Sequence, residues 1–199
     1  GVFFMPPFTT RGWTNTVQPA EFPKGIRFSL NYCHGVRRYP YSHDMTKNPL
    51  TFNDIDPSQR DNCASGAPYS PLAVSLQGSC EDALADEWHN VGEVWCVTLW
   101  EARRNLIGKY GQPVGNQLIL QLVTDGMNLC PLNPTFIQAR DAILQADIVN
   151  NCGENWFELW AAFVKRGMGW FASGPPSRTT TGIAESFAAP PCAPNPCQD

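Results

Sequence analysis

Residues 89–107, HNVGEVWCVTLWEARRNLI, decide the fold. Val91, Val94, Trp95, Thr98, Leu99, Ala102, Leu106 and Ile107 recur at the three- and four-residue spacing of an α-helix. Val94–Trp100 is apolar nearly all round, which places a helix over 90–109 at the centre of a bundle. Gly108 and Gly111 are expected to end it.

Downstream the same periodicity repeats. Over 114–129, Leu118, Ile119, Leu122, Val123 and Met127 line one face opposite Gln117, Gln121 and Asp125. Asn133-Pro134 reads as an N-cap with proline at the first helical position, opening a helix to 149 through Phe136, Ala139, Ile143 and Ala146. A fourth helix over 154–167 carries Trp156, Leu159, Trp160, Phe163 and Val164, and Gly167 and Gly169 stop it. Four apolar faces joined by short links need one shared core. A strand-like piece follows at Ile183–Phe187.

The rest is irregular. Residues 1–34 show no periodicity and are broken by Pro6, Pro7, Pro19 and Pro23. Residues 35–58 are extended and turn-rich. Residues 59–83 read as a loop insert, and 188–199 as a proline-rich tail. The expected organisation is a mainly α domain over 35–187, flanked by those two irregular segments.

Composition narrows the function. The chain has 199 residues, 14 Lys+Arg against 18 Asp+Glu, and a net charge of −4, which argues against a nucleic-acid binder. No apolar run approaches the roughly 20 residues of a membrane span. At 43% hydrophobic with 7 Trp, the chain supports a real core and is not a disordered tail. It starts at Gly1, not Met, and is expected to be a processed product or a fragment.

Eight cysteines point to structural disulfides and an oxidising, extracellular compartment. The spacings predict Cys63–Cys80 around the insert, Cys130–Cys152 across the third helix and Cys192–Cys197 in the tail. No CxxC occurs, so neither a zinc ribbon nor a thioredoxin-type site is expected. Leu30 stands where a haem-attachment motif ending in Cys33-His34 needs its first cysteine. Cys96, inside an apolar helix, reads as a buried thiol outside the disulfide framework.

Residues 37–57, RRYPYSHDMTKNPLTFNDIDP, with 89–107, NQLILQLVTDGMNLCPLNPTFIQARDAILQAD (116–147) and ELWAAFVKRGMG (158–169), resemble the C-terminal part of the fungalysin family. These are secreted zinc metallopeptidases related to thermolysin. The resemblance implies a helical C-terminal lobe. It departs from the family in one respect: zinc peptidases of this type hold the metal with HExxH and a later Glu, and this chain has neither. Its histidines are His34, His43 and His89. The resemblance therefore implies that zinc belongs to the complete enzyme and is bound by residues outside this chain. A separate N-terminal chain carrying HExxH is one way to supply them. The chain alone is expected to be inactive.

The resemblance also implies two roles. Arg37, with Arg38 as second choice, holds a carbonyl of the peptide or protein substrate, which a planar guanidinium suits better than an ammonium. His89, ahead of the GEVW stretch, stabilises the oxyanion of the tetrahedral intermediate, with Asp86 or Glu87 as candidates to orient its ring. Taken alone, these residues read as a surface arginine pair and a solvated helix-terminal histidine. The alternative function is a non-catalytic structural, filament-forming or binding module derived from such a peptidase.

Weaker signals have plainer readings. Glu93 and Glu101, eight residues apart on one helix, have the spacing of an acid–base pair, yet each is expected to pair with an arginine or a backbone donor, Arg104 serving Glu101. Asn53, Asp54, Asp56 and Asp61 are calcium-type residues, but Pro57 and the lack of an EF-hand glycine favour a solvated turn. Trp95, Trp100, Trp156 and Trp160 are expected in the core.

Overall fold

The computed structural model describes residues 39, 41–56, 58 and 88–192, with the side chains of 88–90 excepted. A short 3-10 turn, η1 (Phe52–Ile55), is followed by four α-helices: α1 (Trp88–Tyr110), α2 (Gln112–Leu129), α3 (Phe136–Asn151) and α4 (Trp156–Lys165). The predicted helices are all present, and the architecture is mainly α.

α1 is the central element and packs against α2, α4 and η1. Val94, Val97 and Leu106 are fully buried in it, with Leu99 nearly so. Each such side chain contributes about 1.5–3 kcal/mol on leaving water. α2 turns back on α1 at Gly111, whose φ of +82° suits glycine. The approach is backbone to backbone, because a Cβ on Gly115 would stand 2.5 Å from the Leu106 carbonyl oxygen. Ile119, Leu122 and Val123 face the core as expected, but Met127 is 51% exposed. Gly126 takes the close approach instead, where a Cβ would lie 2.8 Å from Ile143 Cγ1. That contact sets the α2–α3 crossing and turns Met127 outward.

α3 starts two residues later than Asn133-Pro134 implied. Thr135 is the N-cap: its hydroxyl accepts from Gln138 N at 3.2 Å, and Gln138 Oε1 accepts from Thr135 N at 2.9 Å. This reciprocal capping box satisfies two donors, which Asn133, in the left-handed region at φ +53°, does not. At the other end Asp147 is fully buried and binds Asn155 N at 2.9 Å and Asn155 Nδ2 at 2.6 Å, closing the turn into α4. Arg140, also buried, donates to the Met168 and Gly169 carbonyls at 3.0 and 2.8 Å and lies 4.8 Å over the Trp160 ring.

The strand-like piece at 183–187 makes only isolated bridges, Ser173 with Ala184 and Met168 with Ser186. Gly182 turns the chain just ahead of it at φ +95°, and the Glu185 carboxylate accepts from Asn53 N at 2.7 Å.

Two predicted disulfides are corrected. Cys130 and Cys192 carry free thiols. Cys152 is disulfide-bonded, but not to Cys130. The 16-residue α3 between them rises about 24 Å. A disulfide holds its Cα atoms at about 4.4–6.8 Å, and the flanking links do not fold back over that length. Cys192 lies exposed in the tail without a bridge to Cys197. Cys63, Cys80 and Cys197 lie outside the described residues.

Candidate functional site

The first half of α1 and the segment 39–56 form one assembly, built on two carboxylates. Glu93 and Glu101 are each 1% exposed on α1. Glu93 Oε1 accepts the Tyr39 backbone N–H at 3.1 Å. Glu101 accepts from Arg166 Nε at 3.0 Å and Nη2 at 2.5 Å, and from Lys165 Nζ at 3.0 Å. Among the described residues, neither carboxylate is hydrogen-bonded to another carboxylate. Both pair as expected in kind, though Glu101 takes Arg166 and Lys165 in place of Arg104.

Arg166 is fully buried and binds the upstream segment with its other donors. Nη1 reaches the Asn48 and Leu50 carbonyls at 2.7 and 2.9 Å, and Nη2 the Ser42 carbonyl at 2.7 Å. Its own carbonyl accepts from Phe52 N at 2.8 Å. Lys165 Nζ donates to the His43 carbonyl. Burial pulls the Arg166 pKa down and the Glu101 charge opposes it; a guanidinium stays ionised. The result is a buried charge with carboxylate and carbonyl oxygens on all sides, the arrangement that makes burial tolerable.

The acidic run around η1 serves the backbone. Asp54 Oδ2 accepts from Thr51 N at 2.8 Å. Asp56, expected in a solvated turn, is 1% exposed and accepts from Ser58 N (2.8 Å), Ser58 Oγ (2.7 Å), Gly182 N (2.8 Å) and Ile183 N (3.0 Å). Desolvation pushes its pKa up, and these four bonds outweigh that and leave it below 3.8. Such committed lone pairs leave little for a cation.

Among the described residues no group of three or more His, Cys, Asp or Glu is placed to hold a metal. Zinc needs three or four ligands converging within about 2.3 Å. The described side chains do not fit it.

His89 sits in the first turn of α1, one helical turn before Glu93. Its side chain is outside the described residues, as are Arg37, Arg38, Asp61, Asp86 and Glu87. Tyr39, held by Glu93, directly follows Arg38. Trp95, Trp156 and Trp160 are core residues. Trp100 is half-buried, with the Tyr41 ring at 6.4 Å and the Arg103 guanidinium 4.8 Å over its face. Lys165 and Arg166, at the end of α4, escaped the sequence reading. Their signal is a basic pair before the helix-stopping Gly167, which looks like a solvated C-terminus.

The fungalysin metallopeptidase family (M36) matches residues 13–172. The chain is similar to extracellular metalloproteinase mep of Aspergillus niger, 40% identical over 168 residues, covering 78% of this chain and 22% of that protein. It is 36% identical over 174 residues to extracellular metalloproteinase MEP of Fusarium vanettenii, covering 80% and 22%. To extracellular metalloproteinase 1 of Trichophyton equinum it is 37% identical over 179 residues, covering 83% and 25%. The chain thus spans about a quarter or less of the length of these relatives. The helical bundle is the architecture that the sequence resemblance implied for a C-terminal lobe. With most of its length matched by the family, the chain belongs to the fungalysin metallopeptidases.

Proposed function

We propose that this chain is the C-terminal lobe of a secreted zinc metalloendopeptidase, with the metal bound by residues outside it. Residues 35–187 form the lobe, with 59–83 as an insert and 1–34 and 188–199 as flanking segments. Arg37, or Arg38 beside it, holds a carbonyl of the bound peptide. His89 donates to the oxyanion that forms as the scissile carbonyl becomes tetrahedral. A donor placed there strengthens its bond as charge develops, and its loss costs about 100- to 1,000-fold in turnover. The chain by itself hydrolyses nothing.

One observation carries this reading beyond family membership: the bond from Tyr39 N to Glu93, across 54 positions of sequence. It ties the residue after the arginine pair to the helix whose first turn holds His89, as a common cleft wall requires. The test uses the complete, zinc-loaded peptidase. His89→Ala is expected to lower kcat by orders of magnitude with KM nearly unchanged, and Arg37→Ala to weaken both. Wild-type kcat/KM in His89→Ala, Arg37→Ala and Arg38→Ala would overturn the reading and favour a non-catalytic structural or binding module.

A further inference from the structure

We infer that the aromatic face carrying Trp170, Phe171 and Phe187 is the surface on which this lobe docks against the remainder of its own polypeptide. The inference rests on the reading above of the chain as one lobe of a larger peptidase.

The face differs from the other exposed apolar residues. Val114, Val149 and Phe157 stand on three different helices, and single apolar side chains on a surface are ordinary. Trp170, Phe171 and Phe187 are 44%, 74% and 57% exposed, and two backbone segments bring them together. Trp170 N donates to the Ala188 carbonyl at 2.8 Å, and Phe171 N to Ser186 Oγ at 3.4 Å, so Phe187 lies between the two residues they bind. Aromatic side chains carry about 150–250 Å² each, so three of them half or more exposed offer a patch on the order of a few hundred Å², the size that marks an interaction site.

The face is also built on a fixed scaffold. Gly169 N donates to the Ser186 carbonyl at 2.7 Å, and Ser186 N to the Gly167 carbonyl at 2.9 Å. The segments approach so closely that a Cβ on Gly169 would stand 2.5 Å from the Ser186 oxygen. Arg140 binds the Met168 and Gly169 carbonyls, and the buried Trp160 ring lies 5.9 Å from that of Trp170. A scaffold already ordered has less freedom to lose on docking.

Chemistry and length choose the occupant. Over 167–174 and 183–188 the one charged residue is Glu185, and its carboxylate is bonded to Asn53 N at 2.7 Å. The face thus suits an apolar, uncharged partner, the composition of a permanent interface more than of a transient one. The matched part of this chain is 22–25% of the length of its relatives, so about three quarters of such a protein lies outside it. A tethered partner meets the face at an effective concentration of about millimolar, far above that of a second copy in dilute solution.

The test places the photo-crosslinker p-benzoylphenylalanine at Phe171, and in a second variant at Phe187, in the complete, zinc-loaded peptidase. Irradiation and peptide mass spectrometry are expected to show, from both positions, an intramolecular crosslink to a peptide outside residues 1–199. A crosslink within residues 1–199, or a product of doubled mass from a second copy, would overturn the inference. Maleimide labelling decides the matter if neither probe crosslinks. Phe171→Cys should then react about 10- to 100-fold more slowly than Leu132→Cys, whose position is 95% exposed. Equal rates would overturn the inference. Both measurements read burial, not turnover, so their failure leaves the proposed roles of Arg37 and His89 standing. Wild-type turnover in the arginine and His89 variants would remove those roles without changing the crosslink.

Discussion

Arg166 Nε stands 3.0 Å from Glu101 Oε1 in the interior, and the guanidinium joins α4 and α1 to the carbonyls of Ser42, Asn48 and Leu50. Arg166→Met is therefore expected to destabilise the chain by about 3–5 kcal/mol, because Glu101 loses its buried partner and three carbonyls lose donors. Arg166→Lys should recover little, since one ammonium cannot reproduce the fork. Urea denaturation of the two variants checks this.

Two glycines should respond in opposite directions. Gly115→Ala puts a methyl 2.5 Å from the α1 backbone, so the helices must separate, at a cost of about 1–3 kcal/mol. Gly108, inside α1, has nothing within 4 Å of the place its methyl would take, so Gly108→Ala should stabilise by about 0.4–1 kcal/mol. Thermal melts of the pair decide it.

Asp56 makes stability depend on pH. Burial raises its pKa, and bonds from Ser58, Gly182 and Ile183 outweigh that and hold it below 3.8. A carboxylate with a depressed folded pKa stabilises fully above its unfolded value and loses that contribution as pH falls through the folded one. Asp56→Asn should thus cost about 1–3 kcal/mol near neutral pH. The gap to wild type should narrow below about pH 4, as urea denaturation across a pH series would show.

Thiol chemistry should separate the cysteines. Cys192 is exposed, while Cys130 is half-buried and burial pushes its thiol pKa up from 9.0. Iodoacetamide at pH 8 should label Cys192 first and Cys130 slowly, since only the thiolate reacts. Non-reducing peptide maps should show Cys152 bridged, and never to Cys130.

Apolar periodicity was enough to place four helices and to put α1 at the centre. Val94–Trp100 is apolar nearly all round, a local property of the sequence, and five of its seven residues are buried while Cys96 and Trp100 are half-buried. Boundaries needed hydrogen-bond geometry: Asn133-Pro134 and Thr135–Gln138 are both credible helix starts, and the start observed at Thr135 is the one that satisfies two backbone donors reciprocally. Cysteine spacing failed at Cys130 and Cys152 because proximity in sequence says nothing about which end of a rigid helix a side chain occupies.

Family membership was legible in the order of motifs. The partners of the charged residues were not. Glu101 meets Arg166 across 65 positions and Glu93 meets Tyr39 N across 54. Local spacing offered Arg104 instead, an equally good charge on the same helix. Helical periodicity is written within a few residues, whereas a buried charge takes whichever donors the packed helices bring to it, and only the tertiary structure decides that.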